Sequence, residues 1–138
     1  MKKILTIIFL LISLNVMAAD NFPKFFYNKV VEVQNTYPEG SFERMVDPSL
    51  VTTIASLESD YGDFKNAPTA KKANNYMGRH AGDLESEDHI MSTGNPPAPV
   101  KVYKSVEDNI IDFFNLINNN KRYIELKEAI IAGESIEN

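Results

Sequence analysis

The chain contains no cysteine. That excludes a disulfide framework, a thiol nucleophile, a cysteine-based zinc site and a lipid-modified cysteine. It has two histidines, His80 and His89, nine positions apart in a polar stretch, so a histidine-rich metal site is not expected. No glycine-rich phosphate loop and no dinucleotide fingerprint is present. Ser56, Ser59 and Ser92 lack a partner set of histidine and aspartate, so serine hydrolase chemistry has no support. There is no internal repeat. No cofactor and no metal are expected. Positive charge is scarce: 14 Lys and Arg stand against 19 Asp and Glu, a formal net charge of −5. An acidic domain is a poor match for nucleic acid or for an anionic membrane surface.

The one long apolar run lies at the start. Lys2 and Lys3 precede Ile4 to Leu14, and Val16-Met17-Ala18-Ala19 supplies small residues before Asp20. This is the pattern of a secretory signal peptide, residues 1–19. The uncharged stretch is short for a membrane span. The expectation is a periplasmic or secreted domain, residues 20–138, with no stable membrane insertion after cleavage. Loss of Lys2 and Lys3 takes the net charge from −5 to −7. Nothing demands an oligomer, and a monomer is the default.

Within that domain, Phe22, Phe25, Phe26, Val30 and Val33 recur at helical spacing and predict a helix over Phe22 to Thr36. Asp47-Pro48 is a helix start, with the aspartate as N-cap and proline in the first turn. Leu50, Val51, Ile54, Ala55 and Leu57 give the next helix an apolar face, from Pro48 to Tyr61, with Gly62 as its stop. Residues 63–104 hold four of the seven prolines and few apolar runs. They predict an irregular lobe with a short strand at Val100 to Tyr103 and a weaker one near His89 to Ser92. Ser105-Val106-Glu107-Asp108 is a capping pattern that opens a third helix, buried through Ile110, Phe113, Phe114 and Ile117. A fourth, Tyr123 to Ile131, carries Leu126, Ile130 and Ile131. The tail from Glu134 is expected to fray. The fold class is therefore mainly α (α+β), a helical lobe with a small irregular β-lobe at about 63–104.

Glu58 is the residue that departs from the pattern. Val51, Ala55 and Glu58 fall on one side of their helix, and Glu58 sits in its last turn. Partial burial beside apolar residues disfavours a charged carboxylate, and so does the negative end of the helix dipole. That is the housing of a general acid.

The segment Ile54-Ala55-Ser56-Leu57-Glu58-Ser59-Asp60-Tyr61-Gly62 resembles the A-x-x-E-S-x-[WY]-G segment of bacterial β-N-acetylglucosaminidases. These are peptidoglycan hydrolases of the flagellar-muramidase and Bax type, glycoside hydrolase family 73. Asn74-Asn75-Tyr76-Met77-Gly78 is similar to the family's N-N-[LY]-[FM]-G segment. The stretch Val102 to Ile110 resembles its [VR]-[YF]-x-S-x-E-[DE]-S-[IV] segment, and Asn119 to Tyr123 its N-x-x-x-Y segment. The four follow in the family's order. Phe22 to Thr36 resembles the leading helix of the Bax-like proteins.

The resemblance implies a lysozyme-like helical lobe, a small β-lobe and a cleft between them. It implies hydrolysis of the β-1,4 bond after N-acetylglucosamine in peptidoglycan glycan strands. Glu58 matches the general acid, and Tyr123 a tyrosine lining the sugar site. Asn75, Gly78 and Tyr103 match recurrent positions that read mainly as scaffold, and Tyr103, Tyr76 and Asn75 are carried as candidate substrate-binding residues. Glycosidases usually pair their acid with a second carboxylate. The acidic cluster of the β-lobe offers Glu87 first and Glu85 second. The substrate's acetamido group is an alternative to both. A lytic transglycosylase or lysozyme on the same scaffold, or a non-catalytic peptidoglycan-binding or envelope partner protein, remains open at this point.

Overall fold

The computed structural model describes residues 21–63, 65 and 67–133. The predicted signal peptide and the tail from Glu134 lie outside the described residues.

Helix α1 spans Phe22–Gln34, with Pro23 in its first turn. Its core side is Phe22, Phe26, Val30 and Val33, all buried. Phe25, assigned to the same stripe from its spacing, is exposed. A short helix α2, Phe42–Met45, follows the turn at Pro38–Gly40. Gln34 ties it to α1, because its buried amide donates to the carbonyls of Glu43 and Val46 at 2.7 Å each. Helix α3 spans Pro48–Glu58. Asp47 caps it, its Oδ1 accepting from the Ser49 N–H at 2.8 Å.

Helix α4, Pro68–Ala73, lies inside the stretch expected to be irregular. The β-lobe is one hairpin. Strand β1, His89–Met91, runs antiparallel to β2, Pro99–Lys101, with Ile90 opposite Val100. His80 extends the pairing by a single bridge to Val100. Helix α5 spans Val106–Asn119, and the Ser105 hydroxyl accepts from the Asp108 N–H at 3.1 Å, as the capping pattern predicts. A 3-10 turn, Lys121–Tyr123, leads into α6, Ile124–Ala132, which stops at Gly133.

The arrangement is mainly helical and lysozyme-like, with the hairpin as a small second lobe. Helix α1 packs against α3 and α5, and α6 closes on α5. The core joins Phe26, Val30, Val51 and Ala55 to Ile110, Phe114 and Ile117. Tyr76 enters the same core against Phe22 and Phe26, with ring centroids 5.5 and 5.8 Å away. Burial of these aromatic and aliphatic groups is the main force holding the helices together. Among the described residues, no helix is long and apolar enough to cross a membrane.

Helix α3 ends three residues earlier than the spacing predicts. After Glu58 the backbone turns through a 3-10 segment, Asp60–Gly62, in which all three residues have positive φ (50°, 54° and 73°). Ser59, fully buried, fastens this turn: its hydroxyl donates to the Ala55 carbonyl at 2.6 Å and accepts from the Gly62 N–H at 3.2 Å. Gly62 is needed twice over, for its φ and for space. A Cβ there would lie 2.6 Å from Cδ2 of the buried Phe22 ring. Gly62→Ala therefore combines left-handed strain with overpacking against the core, and is expected to cost roughly 2–4 kcal/mol. Chemical denaturation of the purified variant checks this; a loss under about 0.5 kcal/mol, within the range of an ordinary surface substitution, would overturn the account of this turn.

Candidate active site

A groove of about 330 Å³ opens where the end of α3, the segment after α4, and helices α5 and α6 meet. Ile54, Met77, Phe113, Leu116, Ile117 and Leu126 supply its apolar lining. Glu58, Arg79, His80 and Tyr123 supply its polar lining, and Gly78 contributes bare backbone. This is the composition of a site that binds a polar ligand with apolar faces.

Glu58 is the last residue of α3, so the expected position at the helix C-terminus holds. The expected partial burial does not: Glu58 is exposed on the groove wall. Ala55 and Val51, about one and two turns earlier, are fully buried under the core, but the last turn runs out past it. Leu57, assigned to the apolar face, is 65% exposed for the same reason. What stands beside the carboxylate is Gly78, which has no side chain to cover it.

Tyr123 is the predicted sugar-site tyrosine that the groove contains. It closes the 3-10 turn before α6 and is partly exposed. The Asn120 side chain fixes that turn, accepting from the Arg122 N–H at 2.9 Å. The other three candidates sit elsewhere. Tyr76 is a core ring. Asn75 is buried, and its amide donates to the carbonyls of Arg79 and Lys101 at 2.7 and 2.8 Å while its oxygen accepts from the Arg79 N–H at 2.9 Å. Tyr103 is buried, with its hydroxyl donating to Asp112 Oδ2 at 2.6 Å. Burial leaves these three little face for a ligand, and their contacts are those of a scaffold.

The acidic loop has its own structural duties. Asp83 accepts from the Ser86 hydroxyl at 2.6 Å and from the Glu85 N–H at 3.0 Å, which folds the loop into a turn. Glu87 accepts from the Gly82 N–H at 2.8 Å and pairs with Lys101 at 3.2 Å. These contacts, the Gly82 N–H foremost, hold the Glu87 carboxyl below the usual glutamate range. Glu85 is exposed on the same loop. Neither Glu85 nor Glu87 lines the groove. Among the described residues that do, Glu58 is the only carboxylate.

A cluster absent from the sequence reading joins the two lobes. Asp112 of α5 receives Arg79 Nε at 3.1 Å, Lys101 Nζ at 3.4 Å and the Tyr103 hydroxyl. Burial alone would raise the Asp112 carboxyl, but Tyr103, Arg79 and Lys101 outweigh it, so the group titrates below the ordinary aspartate value. Burial first, and Asp112 second, push the Tyr103 hydroxyl well up. Lys101 and Tyr103, two apart in extended chain, were a usable signal for part of this cluster. Arg79 and Asp112, 33 positions apart, gave none. Among the described residues, no group of three or more His, Asp or Glu is placed to hold a metal ion.

A helical lobe with a carboxylate at a helix end, facing a groove with a tyrosine on its wall, is a layout suited to cleaving glycosides. The model of the Glucosaminidase family, described as mannosyl-glycoprotein endo-beta-N-acetylglucosaminidase, matches residues 34–135. The chain belongs to this family, glycoside hydrolase family 73, and is a glycoside hydrolase of endo-β-N-acetylglucosaminidase type with peptidoglycan glycan as its substrate class. Searches of curated proteins and of solved structures returned no match.

Proposed function

We propose that this chain is an exported hydrolase that cuts the β-1,4 bond following N-acetylglucosamine in peptidoglycan, with Glu58 as the general acid. One observation carries the reading: an exposed glutamate ends α3 on the wall of the groove that also holds Tyr123. Glu58 gives its proton to the glycosidic oxygen as the C1–O bond breaks. The departing sugar leaves as an alcohol, and positive charge develops at C1 and the ring oxygen. A water then adds to C1 and returns a proton to the Glu58 carboxylate. The tyrosine ring and the apolar floor offer surfaces for sugar faces and acetyl methyl groups. Export rests on the signal-like residues 1–19.

The shortage of carboxylates in the groove favours a one-acid mechanism. The substrate's own acetamido oxygen is suited to stabilise C1 in the absence of a protein nucleophile. The same shortage supports a second reading, lytic transglycosylation, in which a substrate hydroxyl takes the place of water. The products separate the two. Digestion of purified peptidoglycan followed by mass spectrometry is expected to give fragments ending in reducing N-acetylglucosamine. Anhydromuramic ends would instead establish the transglycosylase reading. Binding to peptidoglycan with no release of reducing sugar would overturn both.

A further inference from the structure

We propose that the turn Asn75–Arg79 is a positioning device for the Glu58 carboxyl, acting through the bare Cα of Gly78. The proposal rests on the general-acid reading of Glu58. Gly78 lies at φ +65°, and a Cβ built on it falls 2.7 Å from Glu58 Oε2, 3.5 Å from Cδ and 3.8 Å from Cγ. Real carbon–oxygen contacts are not that short. The backbone at this glycine therefore occupies the space immediately beside the carboxylate, and only glycine permits it.

The turn that carries Gly78 is held on all sides. The Asn75 side chain makes three hydrogen bonds, two of them closing the loop onto Arg79 at either polar backbone atom. Its third reaches the Lys101 carbonyl at the end of the hairpin. The Tyr76 N–H donates to Oδ1 of the fully buried Asn109 on α5 at 2.9 Å, and the Tyr76 ring packs against Phe22 and Phe26 of α1. Arg79, the last residue of the turn, is fastened to Asp112. A glycine so placed is a fixed wall. It restricts where the glutamate's terminal carboxyl can lie while leaving the groove side open to a ligand.

A methyl group at position 78 meets the free end of a flexible side chain, so the side chain rotates away before the fold yields. Gly78→Ala is therefore expected to damage turnover more than stability. The comparison is Gly40→Ala. Gly40 has the same left-handed backbone, φ +77°, with nothing within 4 Å of an added Cβ, and it lies outside the groove. Both variants place a Cβ on left-handed backbone; only one carries the contact with Glu58.

The test measures kcat, KM and Tm on a soluble peptidoglycan glycan fragment for the natural chain, Gly78→Ala, Gly40→Ala and Glu58→Gln. Misplacing a reacting group by about 1 Å costs on the order of 10²-fold. Gly78→Ala is expected to lose kcat by that factor with KM changed less than about threefold. Its Tm should fall no further than that of Gly40→Ala, which keeps its kcat. Should Gly78→Ala fold poorly, Gly78→Asn, which tolerates left-handed backbone, carries the same measurement. An inactive Glu58→Gln together with a Gly78 variant of normal kcat, or one changed in KM alone, would overturn the positioning role and leave the role of Glu58 standing. An active Glu58→Gln overturns both.

Discussion

Glu58→Gln is expected to abolish clearing of peptidoglycan in a zymogram and to lower kcat by about 10²–10⁴-fold, the usual weight of a general acid. The substitution preserves size and shape and removes only the transferable proton. It should leave the fold intact, since the side chain is exposed at the end of α3. The sign of any stability change is also fixed. Where the carboxyl is ionised, its negative charge in the last turn opposes the helix dipole, so its removal is neutral or stabilising, by roughly 0.3–1 kcal/mol at low ionic strength. Loss of activity with an unchanged or slightly raised Tm separates chemistry from unfolding. Full clearing by this variant would remove Glu58 from the mechanism, and a lowered Tm would contradict its placement at the edge of the fold.

Much of the helical frame was legible because its signals are local. Asp47-Pro48 and Ser105 start helices by supplying acceptors to free N–H groups, and both do so in the structure. The stripe Ile110, Phe113, Phe114, Ile117 is buried as its spacing demands. Position, but not environment, was legible for Glu58. Sequence spacing says which side of a helix a residue shares; it does not say where the partner elements stop. Ala55 is covered, whereas Leu57 and Glu58, half a turn and one turn later, are not. Phe25 failed sideways: Phe22 and Phe26 on either side of it along the helix are buried, and Phe25 lies at the edge of their face. Helix α4 was missed because Pro68 to Ala73 has no apolar period beyond two alanines, and burial of Ala70 and Ala73 is settled by what packs on them. The tyrosines show the limit most directly. Tyr76, Tyr103 and Tyr123 are chemically alike, yet one is core, one is pinned to Asp112 and one lines the groove.

Asp112→Ala is expected to be among the most destabilising substitutions outside the apolar core. Asp112 is the acceptor on which Arg79, Lys101 and Tyr103 converge, and these come from the segment after α4 and from the end of the hairpin. Its removal takes this carboxylate from Arg79, leaves Lys101 with Glu87 alone, and leaves a buried hydroxyl with no acceptor. For buried groups such a loss runs to several kcal/mol, and the partial exposure of these side chains brings it to about 2–3 kcal/mol. For a domain of this size that is a fall of roughly 6–15 °C in Tm. The pH dependence has a fixed direction. The folded-state pKa of Asp112 lies below its ordinary value of 3.8. Its contribution is therefore complete above that value and is lost as pH falls through the depressed folded value. The stability gap between the natural chain and Asp112→Asn should be widest near pH 7 and narrow as both are taken toward pH 2, measured by denaturant titration at each pH. A gap independent of pH would mean that Asp112 works by shape alone. A narrowing gap ties the hairpin to α5 through charge, and with it the segment that carries Gly78 and Arg79 into the groove.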